Sequence, residues 1–529
     1  MMENQQISGD NQPVHVTHAA FRVAIGGGLS LLAGLASQVA IAYYFGAGKE
    51  MDAFFTALTI PLYLQIVLLG GLPFVVIPAF VNEENSGHID DAWSLTGTLV
   101  WFSCIVLFLM AIAGAIFSRD IINITAPGFG EEKSGLSARM LTILIFSVPF
   151  MGLSSLTSGV ENIRGRYFWP ATATALGSAG NLIVLLVFHS SIGPLSLAFG
   201  NLVSAVLMAN VTAIPVFVHG WKKLLPLNDP RLTEIFKLVT PFMIFGLITS
   251  SRLILERYFA SVLSDGQLSF IGYANKISNI FVILLATSIA SAIFPSMAKA
   301  YSQRGLPGLV EQSDYGLRLT LAVALPAVTI ISVLSIPLLK LLFERGAFLP
   351  ETTHSVSLII PIVMLNDVLF RMVNNMIGRT FFVLKDTLTT NLISSLTIVI
   401  YIFAARELTA RWGYFGLALA QPIQAGFSIA IMGFLLIRKI KIAPVLQLAK
   451  SASMYLLSSL LVASIAWVIV FVLNFQAPLF QLIIGGLISV VIYLILLKKI
   501  DPPIADSVFG MFGLQKLYSV IRTRIAFAD

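Results

Sequence analysis

Apolar residues along this chain fall in long unbroken runs, separated by short polar stretches. After a polar stretch over residues 1–20, the runs reach about 20 residues or more, the length that crosses about 30 Å of hydrocarbon. Fourteen are predicted, over residues 21–45, 54–81, 92–117, 137–160, 168–190, 192–218, 236–262, 268–298, 316–343, 354–377, 386–405, 413–437, 451–474 and 478–497. An open sheet would leave unpaired backbone groups in lipid, and the runs are too long for barrel strands. The predicted fold is therefore all-α and polytopic. The first twenty residues lack a basic segment followed by a small-residue cleavage site, so they read as a tail rather than a removed signal.

A weak internal repeat groups the runs. Tyr44-Phe45 leads, past an acidic residue and a Phe, to Ile77-Pro78-Ala79-Phe80; Tyr258-Phe259 leads, past Asp265 and Phe270, to Phe294-Pro295-Ser296-Met297. The copies are offset by 214 residues at their start and 217 at their end (258 − 44 and 295 − 78). Six runs separate them, and an even number preserves orientation. Two parallel six-helix lobes are expected, an arrangement common in transporters, with the substrate site where the repeats meet. The expected organisation is a cytoplasmic tail (1–20), an N-terminal lobe (21–218), a C-terminal lobe (236–437), two extra transmembrane helices (451–497) and a cytoplasmic or interfacial tail (498–529). In that last segment Val508, Phe509, Phe512, Leu514 and Leu517 alternate with Lys516, Arg522 and Arg524, as an interfacial helix would require.

Composition sharpens the class. Hydrophobic residues are 57% and charged residues 11% of the 529, against roughly 45–50% and about 25% in soluble domains. Mean hydropathy is +0.89. So few charges cannot tile a water-facing surface. Loops after even-numbered runs, with both tails, hold 21 Lys and Arg, and loops after odd-numbered runs hold 7, which predicts that both termini are cytoplasmic. The acidic loop Asn82–Asp91 runs against this, but acidic residues contribute little to topology. The net charge of +7 suits acidic phospholipid headgroups rather than nucleic acid. Cys104 stands alone, the six histidines lack metal-site spacing, and no phosphate-binding loop occurs. No metal, cofactor or enzymatic activity is expected, and any net transport must draw on membrane potential or an ion gradient.

Charges inside a bilayer cost about 2.5–3.5 kcal/mol on insertion scales and so mark cavities or partners. Run seven holds Arg252, Glu256 and Arg257, run eight Lys276, and run ten Asp367 and Arg371. Arg252–Glu256 and Asp367–Arg371 are each spaced i, i+4, which allows either a structural pair or a functional one. Lys276 has no partner at helical spacing and can face a cavity or bond to Glu256. Asp52, beside Gly46-Ala47-Gly48, is either a helix cap or an outer gate contact. Glu161 and Lys340, near run ends, are expected to snorkel. Pro61, Pro73, Pro78, Pro295, Pro326 and Pro337 predict bent helices, which suit alternating access but are also common in membrane helices.

Phe45-Gly46-Ala47-Gly48-Lys49-Glu50-Met51-Asp52-Ala53-Phe54-Phe55, with Ile60-Pro61, resembles the signature after the first helix of the MurJ/MviN lipid II flippase family. Ala126-Pro127-Gly128-Phe129, Tyr273-Ala274-Asn275-Lys276, Pro295-Ser296-Met297-Ala298-Lys299, Leu342-Phe343-Glu344-Arg345-Gly346-Ala347-Phe348 and Arg379-Thr380-Phe381-Phe382 resemble later family stretches in the same order. The resemblance implies a member of the multidrug/oligosaccharidyl-lipid/polysaccharide exporter superfamily in a bacterial cytoplasmic membrane. Its substrate would be a lipid-linked oligosaccharide, held by a cationic cavity between rocking lobes. Lys276, Arg252, Arg257 and Arg371 are the substrate-binding candidates, and Asp52, Glu256 and Asp367 the gating or ion-coupling candidates. The positions where the family carries cavity cations in its first two helices are here Leu31, Ser37 and Gln65. These departures leave open which glycolipid is moved. They also keep two alternatives: a small organic cation antiporter on the same fold, and a non-transporting scaffold for cell-envelope synthesis proteins.

Overall fold

The computed structural model describes residues 12–69, 72–220, 224–226, 229–440, 445–472 and 477–511, and every regular element among them is a helix. Residues 1–11 of the expected N-terminal tail and 512–529 of the C-terminal one, with Lys516, Arg522 and Arg524, lie outside the described residues. By contacts the chain divides into two units, Met1–Ser261 and Val262–Asp529. The first holds α1 (Gln12–Phe45), α2 (Lys49–Leu64), α3 (Leu72–Asn85), α4 (Ile89–Ile116), α5 (Ser118–Thr125), α6 (Glu131–Leu144), α7 (Ser147–Ile163), α8 (Phe168–Ile192), α9 (Leu195–Gly220) and α10 (Pro230–Ala260). The second holds α11 (Gln267–Val333), α12 (Ser335–Leu342), α13 (Pro350–Met364), α14 (Arg371–Val383), α15 (Thr387–Ile440), α16 (Val445–Trp467), α17 (Pro478–Ile500) and α18 (Pro502–Met511).

Thirteen helical stretches among the described residues are long and apolar enough to cross a membrane. The difference from fourteen runs lies in α15, a single stretch of 54 residues. At about 1.5 Å per residue it is more than twice the thickness of the hydrocarbon layer. Gly413, at φ 56° and ψ −135°, breaks it into the two crossings predicted at 386–405 and 413–437. Large apolar side chains such as Leu32, Ile116, Phe403 and Leu457 are exposed, an outer surface suited to lipid rather than water. Hydroxyl groups inside the helices bond back to the preceding turn, as Thr56 does to the Asp52 carbonyl and Thr59 to the Phe55 carbonyl (2.8 Å each).

The repeat is clearer in the backbone than in the sequence. Gly46 and Gly266, Gly87 and Gly305, Gly165 and Lys385, and Gly193 and Gly413 are positive-φ pairs 218 or 220 residues apart. Gly193 and Gly413 share the same angles, φ 56° and ψ −135°. The eight-residue helices α5 and α12 begin 217 residues apart, at Ser118 and Ser335. Corners of the chain demand these conformations whatever side chains flank them, so they persist where side-chain similarity has faded.

On this count α10 is the counterpart of α1, and the expected lobe boundary lay between residues 218 and 236. Contacts instead divide the chain after Ser261, because α10 packs on α2, α3, α5 and the segment Gln65–Leu69. Its end is fixed there by the Gly128 amide, which donates to Ser261 Oγ at 3.0 Å. A Cβ on Gly128 would stand 2.7 Å from the Ser261 carbonyl oxygen, so the approach requires glycine.

Two π-helical turns interrupt the bundle at Gln65–Leu69 and Leu365–Phe370. Each begins four residues after a proline, Pro61 or Pro361, whose missing N–H and crowding ring loosen the turn. In the second unit the two extra helices are tied to α11 by polar contacts. Arg318 pairs with Asp314 at 3.0 Å and with Asp501 at 3.2 Å; Tyr315 Oη donates to Ser507 Oγ at 2.6 Å, and Tyr493 Oη to the Ala322 carbonyl at 2.7 Å.

Candidate functional site

In the first unit the charged residues converge on one face of α2. That helix starts at Lys49, after Gly46 closes α1 by donating its amide to the Ala42 carbonyl at 2.9 Å. Asp52, Thr56 and Thr59 follow at helical spacing and are all buried. Asp52 does not cap the helix with its side chain: Oδ2 lies 3.6 Å from Lys133 Nζ, and the two side chains are 1% and 7% exposed. Lys133 also sits 4.1 Å from the centroid of the Phe129 ring. The sequence had assigned Lys133 to an outer loop. It is buried because α6 starts at Glu131, ahead of the predicted residue 137, and a small-residue face of Ser134, Ser137 and Ala138 lets it approach α2.

One to two turns further along α2, Thr59 Oγ1 accepts from Arg257 Nε at 2.9 Å. Arg257 Nη1 bonds Glu256 Oε1 at 3.1 Å, and Arg252 Nη1 lies 3.7 Å from Glu256 Oε2. The i, i+4 pair expected from the sequence thus exists, and a second guanidinium shares its carboxylate. Arg257 and Glu256 are buried, while Arg252 is partly exposed. Such a chain of charges, each partnered, offsets its own desolvation and leaves Arg252 as the member closest to solvent.

In the second unit Tyr273 is buried against Phe343 and Phe348, with ring centroids 5.4 and 5.0 Å away. That cluster joins two of the stretches singled out in the sequence and fixes the rotation of α11. Lys276, one turn on, is half-buried. Its ammonium makes no hydrogen bond or ion pair with any described residue. Asp367 occupies the π-helical turn, where its Oδ1 accepts from Asn366 Nδ2 at 2.9 Å; the same amide reaches Gln421 Oε1 at 3.2 Å. Arg371 is mostly exposed and only 3.9 Å from Asp367 Oδ1, a loose pair. The four cations flagged in the sequence are therefore split, Arg252 and Arg257 in one unit and Lys276 and Arg371 in the other.

The departures behave as neutral residues do. Leu31 is exposed, Ser37 is buried, and Gln65 opens the first π-helical turn. Glu161, expected to snorkel, is instead fully buried 4.0 Å from Arg166. Arg166 reaches back across the turn at Gly165, which keeps the carboxylate inside the unit. Among the described residues no group of His, Cys, Asp and Glu could hold a metal ion.

Long bent helices in a repeated pattern define a transporter of the multidrug/oligosaccharidyl-lipid/polysaccharide type. The fold matches a solved multidrug-resistance transporter of that superfamily in an inward-facing conformation (TM-score 0.66, 16% identity, 80% of this chain and 99% of that one). It also matches a solved lipid II flippase MurJ in an inward closed conformation (TM-score 0.74, 21% identity, 90% and 98%). The family model for lipid II flippase MurJ matches residues 41–491, and the chain belongs to that family. A probable lipid II flippase MurJ from Buchnera aphidicola subsp. Acyrthosiphon pisum is 28% identical over 335 residues, which cover 60% of this chain and 64% of that relative's length. The chain is thus a multi-pass membrane protein of a bacterial inner-membrane family whose members are flippases rather than catalysts.

Proposed function

We propose that this protein moves an undecaprenyl-pyrophosphate-linked glycolipid, lipid II in the first instance, from the cytoplasmic to the outer leaflet by alternating access. Family membership supports the reaction class, and the unpartnered, half-buried Lys276 is the observation that carries the site. A pyrophosphate bears two or more negative charges. At 4 Å, an ammonium and a phosphate interact by about 1 kcal/mol in water but about 4 kcal/mol at an effective dielectric of 20. A cation already paired cannot give that increment without losing its partner, which sets Arg257 behind Lys276. Arg371, loosely held and exposed, and Arg252, partly exposed, are the secondary contacts. Asp367, in a π-helical turn with Asn366 and Gln421, is the acidic group we assign to ion coupling. The 21-to-7 excess of Lys and Arg supports cytoplasmic termini.

The test is side-resolved flipping in proteoliposomes with lipid II and with a simpler undecaprenyl-pyrophosphate sugar. Lys276→Met is expected to lose at least about tenfold in rate, and Lys276→Arg to restore most of it, since charge rather than shape is what the site supplies. Normal transport by Lys276→Met would remove Lys276 from the site. Failure of the folded wild-type chain to move either lipid would overturn the flippase reading and return the antiporter and scaffold readings to the front.

A further inference from the structure

The second unit contains two adjoining cavities that the transport reading does not use. One, of about 260 Å³, is apolar and lined by Leu317, Leu321, Val373, Ile377, Gly433 and Leu436. The other, of about 470 Å³, is polar and lined by Glu311, Gln312, Tyr315, Arg318 and Gln447. Val310 and Asp314 line both, so the two meet at α11. The face that joins them is helical spacing at work: Val310, Asp314, Leu317 and Leu321 line the apolar side, and Glu311, Asp314 and Arg318 the polar side. An apolar chamber that opens onto a polar one is shaped for an amphiphile. Together they fall in the size range of small-molecule sites, roughly 300–1,000 Å³.

Charge selects the headgroup. Arg304 pairs with Glu311 at 2.6 Å, and Arg318 with both Asp314 at 3.0 Å and Asp501 at 3.2 Å. Three carboxylates thus face two guanidinium groups. Asp314 Oδ2 takes the Arg318 bond, whereas Asp314 Oδ1, at the seam of the cavities, is buried and accepts no hydrogen bond from any described residue. A buried carboxylate oxygen without a donor is costly, and a cationic N–H is its strongest complement. An anionic headgroup would meet the surplus negative charge and find Arg318 already claimed.

We propose that these cavities form a phospholipid site selective for a primary-ammonium headgroup such as phosphatidylethanolamine. The acyl chain occupies the apolar chamber, and the ammonium donates to Asp314 Oδ1. The neutral amides of Gln312 and Gln447 line the chamber that receives the phosphodiester. The site lies within one unit and does not depend on which glycolipid is transported.

The structure supplies its own probe. A Cβ added at Gly433 meets no heavy atom within 4 Å, so this wall tolerates a side chain that fills the chamber. The full chain is placed in micelles doped with equal amounts of phosphatidylethanolamine and phosphatidylglycerol of identical acyl chains, and bound lipid is counted by native mass spectrometry. Wild type is expected to retain phosphatidylethanolamine in preference by about tenfold, the share of one charge-assisted hydrogen bond. Asp314→Asn should bring that ratio close to one while it still binds lipid. Gly433→Leu should lower retention of both lipids about tenfold at an unchanged melting temperature, and Gly433→Ala should not. Leu321→Trp fills the same chamber from α11 should Gly433→Leu fail to fold. Equal retention of the two lipids by wild type, or an undiminished ratio in Asp314→Asn, would overturn the headgroup assignment. Full retention in the filled variants would overturn the chain placement.

Discussion

Asp52→Asn isolates the buried pair at the start of α2. The pair is 3.6 Å long and its side chains are 1% and 7% exposed, so neither charge can rehydrate in place. Removing one partner of a buried pair costs about 3–5 kcal/mol, because the other charge stays desolvated. Removing both, in Asp52→Asn with Lys133→Met, leaves no orphan charge and is expected to return most of that loss. For a cooperative unit of this size 1 kcal/mol moves the melting temperature by roughly 2–4 °C, so the single variant should melt roughly 6–20 °C lower than wild type. The assay is thermal unfolding of the full chain in lipid nanodiscs, with wild type, both single variants and the double variant compared. The expected order places the double variant above either single one. A single variant within about 2 °C of wild type would show that the pair is hydrated or unimportant, and a double variant that loses the sum of both would show that no coupling exists.

Three further outcomes follow from other contacts. Arg257→Lys keeps the charge but cannot reach Thr59 Oγ1 and Glu256 Oε1 together, so it should destabilise by about 1–3 kcal/mol; Thr59→Val should then add little, and additive losses in the double-mutant cycle would count against the shared contact. Gly416→Ala places a Cβ 2.0 Å from the Leu408 carbonyl oxygen, so α15 must shift at a cost of about 1–3 kcal/mol, whereas Gly433→Ala on the same helix meets nothing; equal melting temperatures would refute the geometry. Asp386 accepts from Lys439 and from the Thr389 amide and hydroxyl, and the Lys439 ammonium holds its carboxyl below the usual carboxylate range. A depressed folded pKa gives stability that is fully present above the unfolded value of about 3.9 and is lost as pH falls through the folded one. The gap between wild type and Asp386→Asn should therefore be constant near neutrality and shrink on acidification. It should stay small because the pair is partly exposed, and a gap that widens in acid would reverse the assignment.

What could be read from the sequence follows from what hydropathy measures. Run length fixed the helices because a bilayer demands about 20 apolar residues whatever their neighbours. The i, i+4 pairs were legible for the same local reason, and both form, at 3.7 and 3.9 Å. Partners from other helices were not legible. Lipid and protein interior are equally apolar, so nothing in an apolar run distinguishes the face that meets Lys133 from one that meets a lipid chain. Thr59 looked like any hydroxyl in a span, yet it holds Arg257 from 198 positions away. The π-helical turns were hidden too, although Pro61 and Pro361 marked where each would start. This asymmetry bears directly on the transport site. Counting cations in the sequence gave four equal candidates, and the structure separates them by what each already holds. Arg257 is committed to Thr59 and Glu256, Arg252 shares that carboxylate, and Arg371 leans on Asp367. Lys276 alone among the four has no described partner. A cation that must bind and release a pyrophosphate in each cycle is better left unpaired, because a standing salt bridge would have to break and re-form with every turnover.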